Sequence, residues 1–207
     1  QHDPFSAIDF YSGDWLTLCH PIIETNHLTL DANKEFDHYI AYRDQNFDKN
    51  KLTIRRATDG KWKTMEKKGF TRFKPDYPLH LKSNESSQTY VAFSKQFKII
   101  KAVVKLYQDD KWVSIGKPAL SEELLEINSL ALGSRGTPYV AYSDEGFYDE
   151  ATVMKYNGKT WEKVGNYGFS DGAVNQIKVA VDDNGVPYVV YSDAESQKLV
   201  IEKYSGN

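Results

Sequence analysis

The sequence predicts an all-β fold built from four copies of one small sheet, and three observations carry this. The phrase PYVAYSD is written four times, as HYIAYRD (38–44), TYVAFSK (89–95), PYVAYSD (138–144) and PYVVYSD (187–193), which sets Tyr39, Tyr90, Tyr139 and Tyr188 at spacings of 51, 49 and 49. The four tryptophans, Trp15, Trp62, Trp112 and Trp161, keep the same beat at 47, 50 and 49. The chain is also rich in strand formers, with 14 Tyr and 10 Phe. Two independent markers in phase over four periods identify a repeat architecture before any element is assigned.

The last repeat shows the elements most clearly. WEKVG (161–165) reads as a short strand, and NQIKVAVD (175–182) alternates Ile177, Val179 and Val181. The DNG turn at 183–185 leads into PYVVYSD, where Tyr188 and Val190 fall on one face and Val189 and Tyr191 on the other. A strand apolar on both faces is sandwiched between neighbouring layers. KLVIEKYS (198–205) supplies a further strand, and in the third repeat YNGKTW (156–161) is a hairpin signal into the Trp strand. In ALSEELLEINSLAL (119–132) at most one helical turn, at 121–125, is expected. Four antiparallel strands per roughly 49 residues is the spacing of a β-propeller blade.

The predicted architecture is therefore a four-bladed propeller forming one domain over 1–207, with repeats near 15–61, 62–111, 112–160 and 161–207. The chain ends where a fifth Trp strand falls due. FYSGDWLTL (10–18) matches KYNGKTWEKV, so the strand around Trp15 is expected to complete the C-terminal blade, with residues 1–14 as its lead-in.

The run PYVAYSD…ATVMKYNGKTWEKVG…VAVDDNGVPYVVYSD resembles a tandem repeat of secreted and surface β-propeller proteins of bacteria, Bacteroidetes-like species in particular, mostly without assigned activity. The resemblance is close over the last two repeats and degenerate in the first two, where Pro138 becomes His38 or Thr89 and Asp144 becomes Lys95. It implies propeller blades and an exported, binding-type role, and it brings no catalytic residues with it. YNGKTW is loosely similar to the Asp-box turn of sialidase propellers but lacks the Ser-x-Asp part.

Composition adds compartment and charge. The chain opens on Gln1 rather than Met, the mark of a processed product, and a secreted, periplasmic or cell-surface location is expected. One cysteine, Cys19, excludes an intramolecular disulfide, and no apolar run approaches the length of a membrane span. The net charge of −3 divides into +11 over residues 49–117 and −14 over the remainder. The basic sector comprises Arg55, Arg56, Lys61, Lys63, Lys67, Lys68, Arg72, Lys74, Lys98, Lys101 and Lys105. It suits an acidic partner or self-association against the acidic remainder; nucleic acid is not the expected ligand.

Candidate ligand-binding residues are those that recur at one blade end. Asp44, Asp144 and Asp193 recur after the repeated strand, where an Asx turn is the structural alternative to a ligand role. Phe47, Phe97 and Phe147 follow them, with Tyr148 added in the third repeat. The long loops between repeats bring Phe70, Phe73, Tyr77, Tyr167 and Phe169 to the same rim. Nucleophile-elbow, phosphate-loop, zinc-peptidase and paired-Cys signatures are absent, and the five histidines have no metal-ligand spacing; His38 and His80 are expected to pack. No metal or cofactor is expected, and VDDNG reads as a turn. The expectation is a non-catalytic module that recognises a glycan or protein through one rim. The alternatives are a carbohydrate-active enzyme using carboxylates such as Asp144 and Asp193, and a self-assembling protein.

Overall fold

The computed structural model describes residues 25, 27–33, 37–45, 50–58, 61–72, 74–96, 100–116 and 127–206. The described residues form four antiparallel sheets. The first holds β1 (Leu28–Ala32), β2 (His38–Arg43), β3 (Leu52–Thr58) and β4 (Lys61–Thr64), and the second holds β5 (Asp76–Ser83), β6 (Thr89–Gln96), β7 (Ile100–Gln108) and β8 (Lys111–Ser114). The third holds β9 (Ser129–Leu132), β10 (Pro138–Asp144), β11 (Glu150–Tyr156) and β12 (Trp161–Lys163). The last contains β13 (Val174–Val181), β14 (Pro187–Asp193) and β15 (Leu199–Lys203), three strands rather than the expected four. The expected closing strand around Trp15 and the turn at 121–125 lie outside the described residues.

Within a sheet each strand pairs with the next in sequence, as short connections favour. In VDDNG the Asp182 carboxylate accepts from the amides of Asn184 and Val186, and Gly185 supplies the left-handed backbone at φ +80°. Register repeats from sheet to sheet: Tyr42 faces Thr53, Tyr142 faces Thr152 and Tyr191 faces Val200. The inner strands β5 and β13 both break register near their starts, between Asp76 and Leu79 and between Val174 and Ile177.

The sheets stack in order, β1 beside β5, β5 beside β9 and β9 beside β13, as propeller blades do. Each joint is an apolar sandwich of the two faces that period-2 alternation creates. Tyr39, Ala41, Leu52 and Ile54 pack with Leu79, Leu81, Val91 and Phe93. Tyr90, Ala92, Ala102 and Val104 meet Leu130, Val140, Tyr142 and Met154. Tyr139, Ala141, Ala151 and Val153 meet Ile177, Val179, Val189 and Tyr191. Burying one such side chain stabilises by about 1.5–3 kcal/mol, so the joints carry most of the cohesion.

Outer-strand tryptophans extend two of these joints. Trp112 stacks on Phe70, with centroids 5.3 Å apart, and its amide donates to Glu66 Oε2 at 2.8 Å. Trp161 lies over Gly116, where a Cβ would come within 2.4 Å of the indole, and its Nε1 donates to Ile115 O at 3.4 Å.

Polar bonds stitch the inner strands. Asp31 accepts from Lys82 Nζ (2.9 Å) and from the amide and hydroxyl of Ser83, while the Ser129 hydroxyl accepts from Val179 N at 3.1 Å. His80 Nε2 lies 3.1 Å from the Ile127 carbonyl, which fixes a proton on that nitrogen. Burial, reinforced by the Lys178 and Lys82 charges, holds its pKa down near 4.

The loops 65–75 and 164–173 are latched to the third strand of their own sheets by the same bonds. The amides of Gly69 and Gly168 donate to the buried hydroxyls of Thr53 and Thr152, each at 2.9 Å. Thr71 and Ser170 accept in turn from Leu52 N and Ala151 N at 3.1 and 2.9 Å.

Two predictions follow from these polar contacts. Thr152→Val keeps the shape but strands the Gly168 amide, and denaturant titration is expected to show a loss of about 1–3 kcal/mol. His80 is neutral when folded, so its contribution is complete above about 6.5, the ordinary histidine value, and is lost as pH falls toward 4 while the unfolded chain takes up a proton first. His80→Gln is expected to flatten the stability–pH curve across that window; an unchanged curve contradicts the assignment.

Candidate functional site

Two rims result from this topology. At one, the turns joining the first and second strands of each sheet converge on a polar cleft of about 530 Å3, with Asn33, Asn84, Gln88, Ser134, Arg135 and Asp183 in its wall. The other carries the loops after the repeated strands together with the loops that connect sheets, and it holds the residues that the sequence singles out.

On that second rim the structure brings Phe147 and Tyr167 together. Their rings stack with centroids 5.3 Å apart and planes 15° from parallel, although they lie twenty residues apart in the chain. The contact is set from below by the latch, because the Gly168 amide is anchored on Thr152 and Tyr167 is the residue before it. A Cβ on Gly168 would sit 2.8 Å from Phe147 Cβ and 2.5 Å from Glu150 Oε2, so only glycine fits at its φ of +53°. Both rings are partly open to solvent, at 42% and 38% exposure. The Lys163 ammonium sits 5.3 Å over the Tyr167 ring. Beside them Tyr148 is 87% exposed and left-handed, φ +54°, at the end of a 3-10 turn spanning Glu145–Phe147; Asp149 follows at φ +62°. A left-handed non-glycine residue carries a steric cost, and here it projects a bare phenol into solvent.

The recurring aspartates occupy strand ends. Asp144 is buried and accepts from Gly146 N at 3.2 Å, capping the turn that presents Phe147 and Tyr148. Asp193 accepts from the amide of Ser196 at 2.6 Å and from its hydroxyl; these bonds hold its pKa below the usual carboxylate range. Asp44 is likewise buried. Burial, with the Asp144 charge beside it, pushes the Tyr142 phenol far up, so it stays protonated.

Other sequence candidates are dispersed. Phe70 stacks on Trp112 and Phe169 packs against the third joint, so both serve cohesion. Phe47, Phe73, Phe97 and Lys98 lie outside the described residues, and the side chains of Tyr77 and Lys101 likewise. The basic sector divides. Arg56 pairs with Asp37, whose carboxyl is raised by burial but brought below its ordinary pKa by the bonds from Arg56 and Thr58 and by the Arg56 charge. Arg55 and Lys105, at matching places in their sheets, donate to the carbonyls of Trp62 and Trp112 at 3.1 Å each. Lys67, Lys68, Arg72 and Lys74 are exposed along the loop 65–75.

Sequence reasoning missed Lys163 and Asp149. Lys163 sits at a strand end with no repeat signal, and only the folded latch brings it over Tyr167. The assembled rim offers the open edges of a stacked ring pair, one ammonium over Tyr167 and the exposed Tyr148 phenol, which suits apolar contact with a flat ligand face and hydrogen bonds at its edge. Among the described residues no group of three or more His, Cys, Asp or Glu side chains is placed to hold a metal ion, and no helix is long and apolar enough to cross a membrane.

No protein family and no curated protein matches the sequence. Solved structures do resemble it in fold. An α-L-arabinanase of Penicillium chrysogenum, complexed with arabinobiose, aligns with TM-score 0.56 at 16% identity over 88% of this chain and 63% of its own. The Aleuria aurantia lectin in complex with Fucα1-6GlcNAc aligns at 0.54 and 15% identity, over 88% and 61%. An endo-arabinase of Bacteroides thetaiotaomicron aligns at 0.51 and 14%, over 90% and 78%. The chain thus spans about three fifths of the arabinanase and of the lectin, and the shared property is the β-propeller-like sheet arrangement.

Gly168→Ala tests how the ring stack is built. The added methyl is expected to separate Phe147 from Tyr167, changing the near-ultraviolet circular dichroism and costing about 1–3 kcal/mol of stability, as strain at a special backbone position does.

Proposed function

We propose that this chain is a non-catalytic, exported carbohydrate-binding propeller that holds a sugar ring against Phe147, Tyr148 and Tyr167. The reading takes the four sheets as one ring closed by the strand around Trp15, so that the ring stack lies on a continuous rim. The observation that carries it is Tyr148, a large aromatic exposed on strained left-handed backbone beside a solvent-facing ring stack. The left-handed backbone belongs to the repeated turn, since Gln197 takes φ +56° at the matching place, and it is the grouping of Tyr148 with two partly exposed rings that offers a ligand apolar contact area. The arabinanases and the fucose-bound lectin of similar fold make arabino-oligosaccharides and fucosylated disaccharides the first probes.

A non-catalytic role is supported by how the recurring carboxylates are used. Asp193 is stabilised as the anion by Ser196, which disfavours it as a general acid, and Asp144 caps a turn. The exposed lysines of the loop 65–75 extend the rim with positive charge and favour acidic glycans or an acidic protein surface.

The test is affinity set against stability. Tyr148→Gly and Tyr167→Ala are each expected to weaken binding roughly five-fold or more, the equivalent of about 1 kcal/mol. Tyr148→Gly is expected to leave stability unchanged or raised by up to about 1 kcal/mol, because glycine relieves the left-handed strain. Silence across a glycan array, with salt-sensitive sedimentation growing with concentration, transfers the function to self-association. Turnover of a polysaccharide that Asp144→Asn abolishes transfers it to catalysis.

A further inference from the structure

We propose that the polar cleft on the rim opposite Phe147 and Tyr167 is a second ligand site, and that it takes a short neutral oligosaccharide. All four sheets contribute to its wall: Asn33 from the first, Asn84 and Gln88 from the second, Ser134 and Arg135 from the third, and Asp183 from the fourth. A second lobe of about 470 Å3 adjoins it between the β9–β10 and β13–β14 turns, and the two lobes share Gly133, Ser134, Arg135 and Asp183. Each lobe has the size of a small-molecule site, about 300–1,000 Å3.

One turn departs from the other three, and it is the turn that both lobes share. In every sheet the first residue of this turn donates its amide to the carbonyl four residues on: Asn33 to Asp37, Asn84 to Gln88, Gly133 to Thr137 and Asp182 to Val186. In three of them the first side chain also accepts the amide of that later residue. Asn33 accepts from Asp37, Asn84 from Gln88 and Asp182 from Val186, at 3.0, 2.8 and 2.8 Å. Gly133 has no side-chain oxygen, so the Thr137 amide goes without that bond. Thr137 lines the second lobe, where a ligand oxygen can accept from it. In the same turn Arg135 is exposed and, among the described residues, has no hydrogen bond or ion pair, whereas Arg55 and Arg56 are committed to the sheets.

The walls are set before a ligand arrives. A Cβ on Gly136 would lie 2.4 Å from Asn84 Nδ2 and 2.6 Å from Gln88 Oε1, so the second turn's side-chain amides press directly on the third turn's backbone. Asn33 Nδ2 donates to Asn84 O at 3.4 Å, and the Tyr139 hydroxyl donates to Gly185 O at 3.2 Å. Turns tied to one another in this way have little freedom left to lose on binding.

The wall selects the ligand class. Its ionised groups are Arg135, Glu85 and Asp183, so no positive excess draws a polyanion there. The rest is amide and hydroxyl. A sugar hydroxyl both donates and accepts, and the wall answers in kind: the guanidinium donates, the Asp183 carboxylate accepts, and the amides of Asn84 and Gln88 do both. Tyr139 is the only ring in either wall, and it is buried, so recognition here runs through hydrogen bonds. Two lobes meeting at Ser134 and Arg135 fit two linked sugar rings.

This site shares no residue with the Phe147–Tyr167 stack, and the two readings fail separately. The full chain, labelled with nitrogen-15, is titrated by NMR with arabinobiose, cellobiose, maltose and lactose at millimolar concentration, and with digalacturonate as the acidic comparison. Amide signals of residues 133–137 and 183–185, Thr137 among them, are expected to shift and saturate with at least one neutral disaccharide. Arg135→Ala is expected to weaken that response roughly ten-fold or more, as loss of a charged hydrogen bond does, and Asp183→Asn to weaken it as well. Both side chains are exposed, so the rest of the spectrum is expected to stay unchanged, which separates a lost site from a lost fold. The absence of saturable shifts at these turns with all four sugars overturns the proposal, as does an unchanged response in Arg135→Ala. Tighter binding of digalacturonate than of any neutral sugar overturns the ligand class. Shifts confined to residues 146–149 and 166–168 overturn this site and leave the ring-stack reading standing; shifts confined to the turns do the reverse.

Discussion

The structure depends on one arrangement: a sheet whose middle strands are apolar on both faces and therefore stable only between two neighbours. Tyr139 and Ala141 pack toward the last sheet while Val140 and Tyr142 pack toward the second, and all four are buried. A strand with that pattern left alone would expose a row of aromatic and branched side chains on each side. Stacking successive copies removes both exposures at once, and a ring is the arrangement that leaves no sheet with a bare face. The exposed Leu28, Leu30, Leu199 and Ile201 mark where that requirement remains unmet among the described residues.

The strands were readable because two periodicities overlap, one of two residues within a strand and one near 49 between sheets. Tyr188 and Val190 on one face, with Val189 and Tyr191 on the other, follow from alternation alone, and the pairing of β14 with β13 and β15 follows from short turns. The rim was readable only residue by residue. Phe147 and Tyr167 could each be picked out, but their stack depends on where a loop amide meets the Thr152 hydroxyl, which no local pattern encodes. Charge was the least readable property. Arg55, Arg56 and Lys105 look like surface cations in the sequence, yet each is turned onto a carbonyl or carboxylate of the sheets. Composition counts charges but does not say which of them find partners.

The two rims divide labour by their backbone requirements. The turns around the polar cleft are short and held by bonds such as those of Asp182 and Asn84. The loops of the other rim are longer, and those at 65–75 and 164–173 are fixed near their middles by the Gly69 and Gly168 amides. That is where positive φ appears at a non-glycine residue with a large exposed side chain, Tyr148. Local strain on a rigid base is tolerable because the joints beneath do not depend on it.

The latch has a consequence for how such a protein diversifies. Gly69 on Thr53 and Gly168 on Thr152 are the same socket, and the residue just ahead of each glycine is Lys68 in one and Tyr167 in the other. Duplication of an ancestral repeat copies the socket ready-made, with its hydrogen bonds already satisfied from below. Drift at the single outward position then exchanges an ammonium for a phenol without breaking any of those bonds. The same socket therefore holds either side chain, and the outward residue differs between sheets while the bonds beneath it stay the same.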